Sequence, residues 1–421
     1  MSILSLFKGN VKLIAISTAI FAFGERMVMP YLSLYILELG GDATTIGLVN
    51  SLGSIGSVFL LPIGGYIADY KGRVKLVAIM SYLYACSSLF FIFATSWQAL
   101  TVGLFLQRLS LIYTPALSAL QADSLPPERR GIGYGLFRTV PSIAGLMSPY
   151  IAGYLATVYG MNHAMRIGYA CVLVCGLIAG TIRSKIRETL MESRSIVPIS
   201  NFPSLFVTSY KMLFGSLKGI PRTMWIITAV SAMNSFFFTM AGPFWVVYAT
   251  EIIKLSAMDW GKIIMAMTGL RIVLSIPAGR VIDIVGRKNV ILVSLFLMPI
   301  PILLFVYSKT FLQVLAVALF IEILDDFLMP AVQALIADLI KRDQRGLVNS
   351  ALGRGVFNVT FGGEMGGGTL VMYLPSMAGA ILGGMIYMIN PVLPWLLLAP
   401  SMVVCAVLTA LIIHEPAIPE E

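Results

Sequence analysis

Long apolar stretches recur along the whole 421-residue chain and limit its fold more than any other feature. An apolar α-helix of about 20 residues crosses the hydrocarbon core of a bilayer, where every backbone polar group needs an internal partner. We therefore expect transmembrane helices, numbered as spans 1 to 12 in chain order. The predicted spans are residues 12–37, 44–67, 76–96, 98–121, 133–157, 165–183, 224–250, 259–282, 289–308, 310–338, 366–388 and 391–413.

The composition excludes a water-soluble protein. Hydrophobic residues make up 58% of the chain and charged residues 12%, and the mean hydropathy is +0.89. A soluble domain carries roughly 25% charged residues. The first apolar stretch continues to about Leu37 without a small-residue cleavage site, so we expect a spanning helix rather than a cleaved signal peptide.

The spans fall into two groups of six, with a polar, Pro-containing stretch between them. We therefore predict an all-α membrane protein with three parts. Residues 1–183 form a six-helix bundle, residues 184–223 form a cytoplasmic linker, and residues 224–421 form a second six-helix bundle.

The lysines and arginines between the spans are unevenly distributed. Most lie on the side of the N-terminus, and the positive-inside rule then places both termini in the cytoplasm of a multi-pass cell-membrane protein. The same loops account for the net charge of +9, so we expect no nucleic acid as a partner. We expect the lipid bilayer and a small-molecule substrate as partners, and a monomer. The opposite side carries Arg166, Lys254, Lys262 and Lys309.

The second half of the sequence repeats the first. Three segments match in the same order, at offsets of 213, 214 and 215 residues. Because each repeat has an even number of spans, both halves enter the membrane from the same side, as in carriers built from parallel repeats. A pore, or a duplication with a structural role alone, would give the same pattern. The matching segments are residues 30–38 with 243–251, 65–73 with 279–287, and 115–131 with 330–346.

The repeat is interrupted late in the second half by about 16 extra residues after Gly346. This insert contains the Gly-rich segment 362–368, and so many glycines weaken a helix. We expect an irregular or interfacial excursion, with a broken eleventh helix as the alternative.

The loop after span 2 carries a pattern of glycines and charges that recurs after span 8. This pattern resembles the signature loop of the major facilitator superfamily, although Tyr70 stands where the family usually has a base. The resemblance covers essentially the whole chain and implies a transporter fold of two pseudo-symmetric six-helix bundles. The matching residues are Gly65, Asp69, Gly72 and Arg73 in the first copy and Gly279, Asp283, Gly286 and Arg287 in the second.

The resemblance also implies a conformational latch in these loops. Its contacts would hold the outward-facing state and break when the cytoplasmic side opens. The alternative is that the charges of these loops only set the orientation of the spans in the membrane. The implied contacts are Arg73 with Asp123, Arg287 with Asp338, Asp69 with the start of span 11, and Asp283 with the start of span 5.

A second motif lies in span 5, at Ser148, Pro149 and Gly153. It resembles the Gly-Pro-x-x-Gly-Gly motif found mainly in exporters of the family, with Ser148 and Ala152 in place of two glycines. Small residues and a proline permit a bend and close helix packing. Small-residue packing without any export role would leave the same pattern.

Six ionisable residues lie within spans 1, 4 and 10, where charge is costly and usually marks a transport pathway. In the major facilitator superfamily these spans line the central cavity. Glu322 and Asp325 share a helical face with Asp326 beside them, and like charges this close do not all ionise. We predict that Glu25 and the two aspartates exchange protons against substrate, with the arginines available to the ionised acid; a buried structural network is the alternative. The six residues are Glu25, Arg26, Arg108, Glu322, Asp325 and Asp326.

Polar and aromatic residues of spans 1, 2 and 7 are candidates for an adaptable substrate pocket. Ordinary helix packing is the alternative for most of them, since the chain has 23 Met and 23 Phe. The candidates are Tyr31, Asn50, Asn234, Phe238 and Trp245.

The four cysteines all lie in apolar stretches. Cys171 and Cys175 are one helical turn apart, which suggests a metal pair, but no His or acid lies near them in sequence. We expect these cysteines to be small buried hydrophobic residues and predict no metal site.

Together these features predict a secondary active transporter that works by alternating access. The leading prediction is proton-coupled efflux of small lipophilic or cationic compounds. The alternative is an uptake carrier, a symporter or uniporter, for a sugar, organic anion or amino acid, in which Arg26 and Arg108 would hold a carboxylate. A channel is disfavoured by the latch loops. No catalytic triad, metal motif or phosphate loop suggests an enzyme, and no cofactor is expected.

Overall fold

A computed structural model describes residues 7–70, 72–126, 129–189, 202–216, 222–339 and 370–412. Within these residues the chain is helical throughout, with short connections and no strand. The Gly-rich insert after Gly346 lies outside the described residues.

The first half contains six spans, three of which are interrupted. Spans 1, 4 and 5 each consist of more than one helical segment. Their bounds are Gly9–Val28, Met29–Tyr31 and Leu32–Glu38 for span 1, Ala43–Tyr70 for span 2, Arg73–Ile92 for span 3, Trp97–Ser110, Leu111–Tyr113 and Thr114–Asp123 for span 4, Arg130–Ala144 and Ser148–Tyr159 for span 5, and Met161–Arg183 for span 6.

The second half contains six further spans, and a linker helix, Phe202–Ser216, precedes them. The prediction of an all-α chain with six spans in each half is confirmed. The bounds are Arg222–Ala241, Gly242–Phe244, Trp245–Val247 and Tyr248–Ile252 for span 7, Ala257–Val285 for span 8, Arg287–Leu297 and Pro299–Tyr307 for span 9, Phe311–Leu339 for span 10, Leu370–Ile389 for span 11, and Leu393–Ile412 for span 12.

Not every span is apolar enough to be recognised by length and hydropathy alone. Among the described residues, seven helices meet that standard, or eight if a bent pair in span 8 counts as one. Span 10 is long enough to cross a membrane, but Glu322, Asp325 and Asp326 lie near its middle. Span 10 therefore fails that standard because of these charged residues and not because it is too short.

The internal repeat extends to the backbone. The Pro30 and Pro243 segments, which the repeat aligns, both form a 3₁₀ turn that interrupts a span. Proline lacks the amide hydrogen that a continuing helix needs. Gly72 and Gly286 have φ angles of 90° and 89° and lie directly before spans 3 and 9. Side-chain-bearing residues rarely adopt such angles, which explains why the signature loop needs glycine at both positions.

The contacts between residues divide the chain into two compact units. Unit 1 comprises Met1–Val28 and Gly53–Gly215, and unit 2 comprises Met29–Leu52 and Ser216–Glu421. This division differs from the predicted domains 1–183, 184–223 and 224–421, which stay a prediction.

Residues 29–52 belong to unit 2 because span 2 packs closely on span 11. A Cβ atom added to Gly47 would lie 2.2 Å from the carbonyl oxygen of Ala380, and one added to Gly384 would lie 2.5 Å from that of Ala43. Only glycine at both positions permits two backbones to approach this closely.

Unit 1 has an apolar core at the ends of its helices near residues 11–15 and 112–125. Phe91 and Tyr169 add a stacked ring pair, with centroids 4.0 Å apart, between spans 3 and 6. The core is built from Val11, Ile14, Ala15, Leu76, Val77, Ile112, Tyr113, Ala116, Leu120, Leu125, Phe137 and Ile186.

Unit 2 contains an aromatic cluster that joins spans 7, 9 and 12. The Trp245 ring lies 4.5 Å from the Phe305 ring and 5.5 Å from the Trp395 ring, and Tyr248 lies 4.8 Å from Trp395. All four rings are almost fully buried. Aromatic pairs of this kind contribute about 0.5–1.5 kcal/mol each beyond their buried area, so the cluster rigidifies this end of the unit.

Candidate functional site

The centre of the candidate site in unit 2 is an ion pair between spans 8 and 10. The Nε atom of Arg271 lies 2.6 Å from Oε1 of Glu322 and 3.8 Å from Oδ1 of Asp326. Glu322 is 1% exposed, Asp326 4% and Asp325 7%. Three buried carboxylates therefore share one stretch of span 10 with a guanidinium.

Helix geometry explains why these side chains meet. Glu322, Asp325 and Asp326 are three and four residues apart, so they occupy one face of span 10. Span 8 packs against that face and brings Arg271 to it. Carboxylates this close repel one another in a low dielectric, and the guanidinium of Arg271 offsets part of that repulsion.

Arg271, which contacts Glu322 and Asp326, is a residue that the predicted site omits. The structure pairs Glu322 with Arg271, and the availability of Arg26 and Arg108 to an ionised acid stays a prediction. A signal was present in the sequence, because Arg271 is a charge within an apolar span. Sequence spacing within one helix, however, does not reveal which neighbouring helix packs against it.

In unit 1, Glu25 is the acid at the centre of the site. The hydroxyl of Tyr84 donates a hydrogen bond to Oε1 of Glu25 over 3.2 Å, which links spans 1 and 3. Arg108 of span 4, in the same unit, is itself buried. The structure thus places Tyr84 of span 3 beside the predicted Glu25 of span 1.

Arg26 faces a different neighbour from Glu25. Its guanidinium donates to the carbonyl oxygen of Ser142 over 3.4 Å and to the hydroxyl of Ser142 over 3.5 Å. Its aliphatic stem packs at Gly145 of span 5. Arg26 thus contacts span 5 while Glu25 contacts span 3, because successive helix residues point about 100° apart.

Arg183 is a buried cation at the C-terminal end of the first predicted bundle. Its side chain is 1% exposed at the end of span 6, and it donates to the Ser81 hydroxyl over 2.7 Å. Its guanidinium carbon lies 5.1 Å from the ring centroids of both Phe21 and Tyr113. Among the described residues, these aromatic faces take the place of a carboxylate partner.

The first signature loop contains one of the implied contacts. Arg73 and Asp123 form an ion pair, with Nη1 and Oδ2 2.5 Å apart. The hydroxyl of Thr189 donates to the same oxygen over 3.0 Å, and Glu188 accepts from the amide of Val74. Glu188 and Thr189, just after span 6, therefore also belong to this network, although the sequence motif does not include them.

The other implied latch contacts are less fully described. The side chains of Asp69 and Asp338, and the surroundings of Gly65, lie outside what the structure describes. Asp283 is exposed at the end of span 8, Gly279 lies one turn before it, and Arg287 begins span 9. The latch role of these residues stays a prediction.

The span 5 motif coincides with a helix break. Span 5 stops at Ala144 and restarts at Ser148, with Pro149 in the first turn of the new segment. Proline is well tolerated there because the amides of a first helical turn have no intrahelical partner. Ser148, Pro149 and Gly153 are all buried, so this segment packs within unit 1.

A small cavity of about 30 Å³ lies in unit 2, between the two Pro-containing turns. This space holds one or two water molecules rather than a drug-sized ligand. Of the predicted pocket residues, Asn50 and Phe238 line it, together with Pro30, Ser33 and Pro243.

Three predicted pocket residues lie elsewhere. The Tyr31 hydroxyl donates to the carbonyl oxygen of Ala257, and the Asn234 amide contacts the sulfur of Met402 over 3.3 Å within unit 2. Trp245 belongs to the aromatic cluster. All three side chains are buried by packing, because a polar or aromatic residue in an apolar span also serves to join two helices.

A metal centre of the usual kind is not found in the described residues, which contain no group of three or more His, Cys, Asp or Glu side chains that could hold an ion. The candidate site is therefore a set of charges and hydroxyls on helices. Such a set can bind and release protons or charged ligands.

The relationship to known proteins agrees with this architecture. The sequence profile of the Major Facilitator Superfamily matches residues 14–246 and 224–421. The chain belongs to the major facilitator superfamily. It is therefore a membrane transporter rather than an enzyme, and the predicted fold of two six-helix halves is confirmed.

Relatives within the family include proteins named for drug resistance. Multidrug resistance protein MdtG of Proteus mirabilis (strain HI4320) is 26% identical over 375 residues, which cover 84% of this chain and 87% of that protein. Quinolone resistance protein NorA of Staphylococcus aureus (strain Mu50 / ATCC 700699) is 24% identical over 151 residues, 36% of this chain and 38% of that one.

A crystal structure of a D-xylose-proton symporter has the same fold. It matches with a TM-score of 0.71 at 14% identity, and the match covers 98% of this chain and 99% of that one. At this identity the likeness concerns the fold alone.

Proposed function

We propose that this transporter exports small lipophilic or cationic compounds in exchange for protons. The observation that carries the proposal is the cluster of Glu322, Asp325 and Asp326 with Arg271. Buried carboxylates bind a proton readily, and they also attract a cation. A proton and a cationic substrate therefore compete for one site, which is the physical requirement for exchange.

The ion pair with Arg271 suggests a division of roles within the cluster. Glu322 lies 2.6 Å from the guanidinium, and a charge-assisted contact this short favours the ionised carboxylate. Asp325 and Asp326 are then the groups that gain and lose the proton. Arg271 keeps the site from accumulating negative charge when the proton leaves.

Glu25 provides a second proton site in the proposal. It accepts a hydrogen bond from Tyr84, and Arg108 of the same unit is a buried cation. An acid that is held by a hydroxyl and a nearby cation can change its protonation without leaving a buried charge unsupported. The names of the MdtG and NorA relatives favour export over uptake.

The remaining expectations form part of the proposal. The protein would act as a monomer in the plasma membrane with both termini in the cytoplasm. The Arg73–Asp123 pair would serve as part of the latch. Residues 1–183 and 224–421 would move as the two halves of an alternating-access carrier, joined by residues 184–223.

An uptake carrier for a sugar, organic anion or amino acid is the second candidate. Unit 1 favours it, because Arg108 of span 4 is a buried cation and Arg183 is a second one, beside Phe21 of span 1 and Tyr113 of span 4. A guanidinium binds a carboxylate well when both are shielded from water. This candidate predicts inward movement of carboxylate compounds.

Transport in proteoliposomes with an imposed pH gradient separates the two candidates. The panel comprises a lipophilic quaternary ammonium dye, a sugar and a carboxylate. The variants are Asp325→Asn and Glu25→Gln, each close in shape to the native residue. Asp42→Asn is the matched control, since it removes a carboxylate from the loop between spans 1 and 2 and Asn still caps a helix.

We expect at least a tenfold loss of gradient-driven dye movement in Asp325→Asn and Glu25→Gln, and wild-type movement in Asp42→Asn. If both site variants still drive uphill transport, the proton assignment is wrong. Movement restricted to carboxylates, in the inward direction, would support the uptake carrier instead.

A further inference from the structure

Span 6 carries a pair of thiols that the transport site does not use. The Sγ atoms of Cys171 and Cys175 are 3.8 Å apart, and both side chains are partly exposed. The expectation of small buried hydrophobic residues is therefore wrong for this pair. The other described cysteines, Cys86 and Cys405, are single free thiols, one exposed and one buried.

Helix geometry keeps these thiols reduced rather than joined. Residues four apart on a helix have Cβ atoms about 5–6 Å apart, whereas a disulfide requires about 3.5–4.5 Å. Cys171 and Cys175 lie within the continuous helix Met161–Arg183, so a disulfide would require that helix to deform. The pair is a dithiol that cannot easily oxidise within itself.

The sulfur separation indicates which ligand geometry fits. With metal–sulfur bonds of about 2.3 Å, a linear two-coordinate ion would need sulfurs about 4.6 Å apart. The observed 3.8 Å corresponds to a bent arrangement. Trivalent arsenic and antimony are soft and pyramidal, and they bind two thiolates in such an arrangement.

We propose that Cys171 and Cys175 form a dithiol site for a trivalent arsenic or antimony compound. With an organic arsenic oxide, both S–H bonds break and two As–S bonds form. The oxide oxygen leaves as water with the two thiol protons. Arsenic stays trivalent throughout, so the step needs no oxidant or reductant.

A compound bound to these thiols would affect the transport site through the contact between spans 6 and 1. Cys175 contacts the backbone of Gly24, and a Cβ atom on Gly24 would lie 3.3 Å from the Cys175 Cβ and 3.0 Å from the Val172 Cα. Spans 1 and 6 are thus in close contact beside the thiols, one residue from Glu25. A bound arsenical has no free space on that side and is expected to slow transport.

The test uses phenylarsine oxide on the purified full-length protein, with intact-mass spectrometry as the readout. Wild type is expected to retain one arsenical that a dithiol removes and a monothiol does not. Cys171→Ala and Cys175→Ala each lose this retention, whereas Cys86→Ala and Cys405→Ala keep it.

A spacing control keeps the number of thiols unchanged. Cys171→Ala combined with Val174→Cys places two cysteines next to each other in sequence, where they do not face one another on a helix. We expect this variant to lose the monothiol-resistant adduct while its thermal unfolding midpoint stays near that of wild type.

Equal retention in Cys171→Ala and wild type, or no dithiol-reversible adduct in wild type, overturns the proposal. Retention by the spacing control would also count against it, because the fixed separation would then be irrelevant. Binding is measured without transport, so these outcomes are independent of the proposed export function. Transport assays after labelling then test the inhibition separately.

Discussion

Arg271 of span 8 contacts Glu322 of span 10 through a 2.6 Å bond between Nε and Oε1, with Glu322 almost completely buried. Neither residue is near the other in sequence. The bond therefore fixes how two long helices of unit 2 face each other, at the depth where Asp325 and Asp326 also lie. The Arg271–Glu322 pair therefore both joins spans 8 and 10 and forms part of the candidate proton site.

Arg271→Gln is expected to destabilise the protein strongly, because it leaves a buried carboxylate without its guanidinium. Breaking a buried ion pair from one side costs about 3–5 kcal/mol. Arg271→Gln together with Glu322→Gln removes both charges and is expected to recover most of that loss. Thermal unfolding of the two single variants and the double variant, arranged as a double-mutant cycle, measures the coupling. Additive effects would mean that the pair contributes nothing to stability.

Arg73→Gln tests whether the first signature loop is a latch or only sets topology. Asp123 is 42% exposed, and an ion pair that open contributes about 0.2–1 kcal/mol to stability. We expect little change in the unfolding midpoint but roughly a tenfold fall in transport rate, because a latch acts on the conformational equilibrium. Rates are measured in proteoliposomes.

Lys75→Gln is the matched control for this experiment, since it removes an exposed base two residues away. If Arg73 only sets the topology, Arg73→Gln and Lys75→Gln should have the same small effect on the transport rate. The charge-exchanged variant Arg73→Asp with Asp123→Arg should regain part of the rate if the pair itself is what matters.

The fold is largely predictable from the sequence because the bilayer permits few solutions. Apolar length identifies the spans, and the repeat aligns Pro30 with Pro243, both of which lie in 3₁₀ turns of the structure. Gly72 and Gly286 of the two signature loops also have matching φ angles of 90° and 89°. These features depend on local chemistry, which a sequence records directly.

The candidate site is less predictable because it depends on which helix faces which. Glu25 and Arg26 are adjacent, yet one contacts Tyr84 and the other Ser142. Asn234 resembles a pocket residue in sequence, but Met402 covers it. No spacing rule within one helix determines such neighbours.

Asp42 gives a prediction about pH. Its Oδ1 accepts from both the hydroxyl and the amide of Thr45, each over 2.7 Å, at the start of span 2. These bonds hold the pKa of the Asp42 carboxyl below its usual range, the hydroxyl contributing first. A lowered pKa in the folded state means stabilisation that is complete above the unfolded pKa of about 3.9 and lost as pH falls through the folded pKa.

The stabilisation from this exposed cap is about 0.5–1 kcal/mol. Asp42→Ala should therefore lower the unfolding midpoint at pH 7, and its difference from wild type should shrink below about pH 4. Asp42→Asn keeps a neutral cap and should show a smaller difference at pH 7. Thermal unfolding in detergent from pH 7 to pH 3 gives both comparisons, and a difference that grows on acidification would contradict the assignment.

Gly47→Ala and Gly135→Ala should have effects of opposite sign, although both put alanine into a helix. Alanine is favoured over glycine in a helix interior by about 1 kcal/mol. At Gly135 nothing lies within 4 Å of the added methyl group, so the variant should be more stable by up to that amount. At Gly47 the methyl group would lie 2.2 Å from the Ala380 carbonyl oxygen, so spans 2 and 11 must separate. We expect a lower unfolding midpoint for Gly47→Ala than for wild type. If it were as stable as Gly135→Ala, residues 29–52 would not depend on this contact for their place in unit 2.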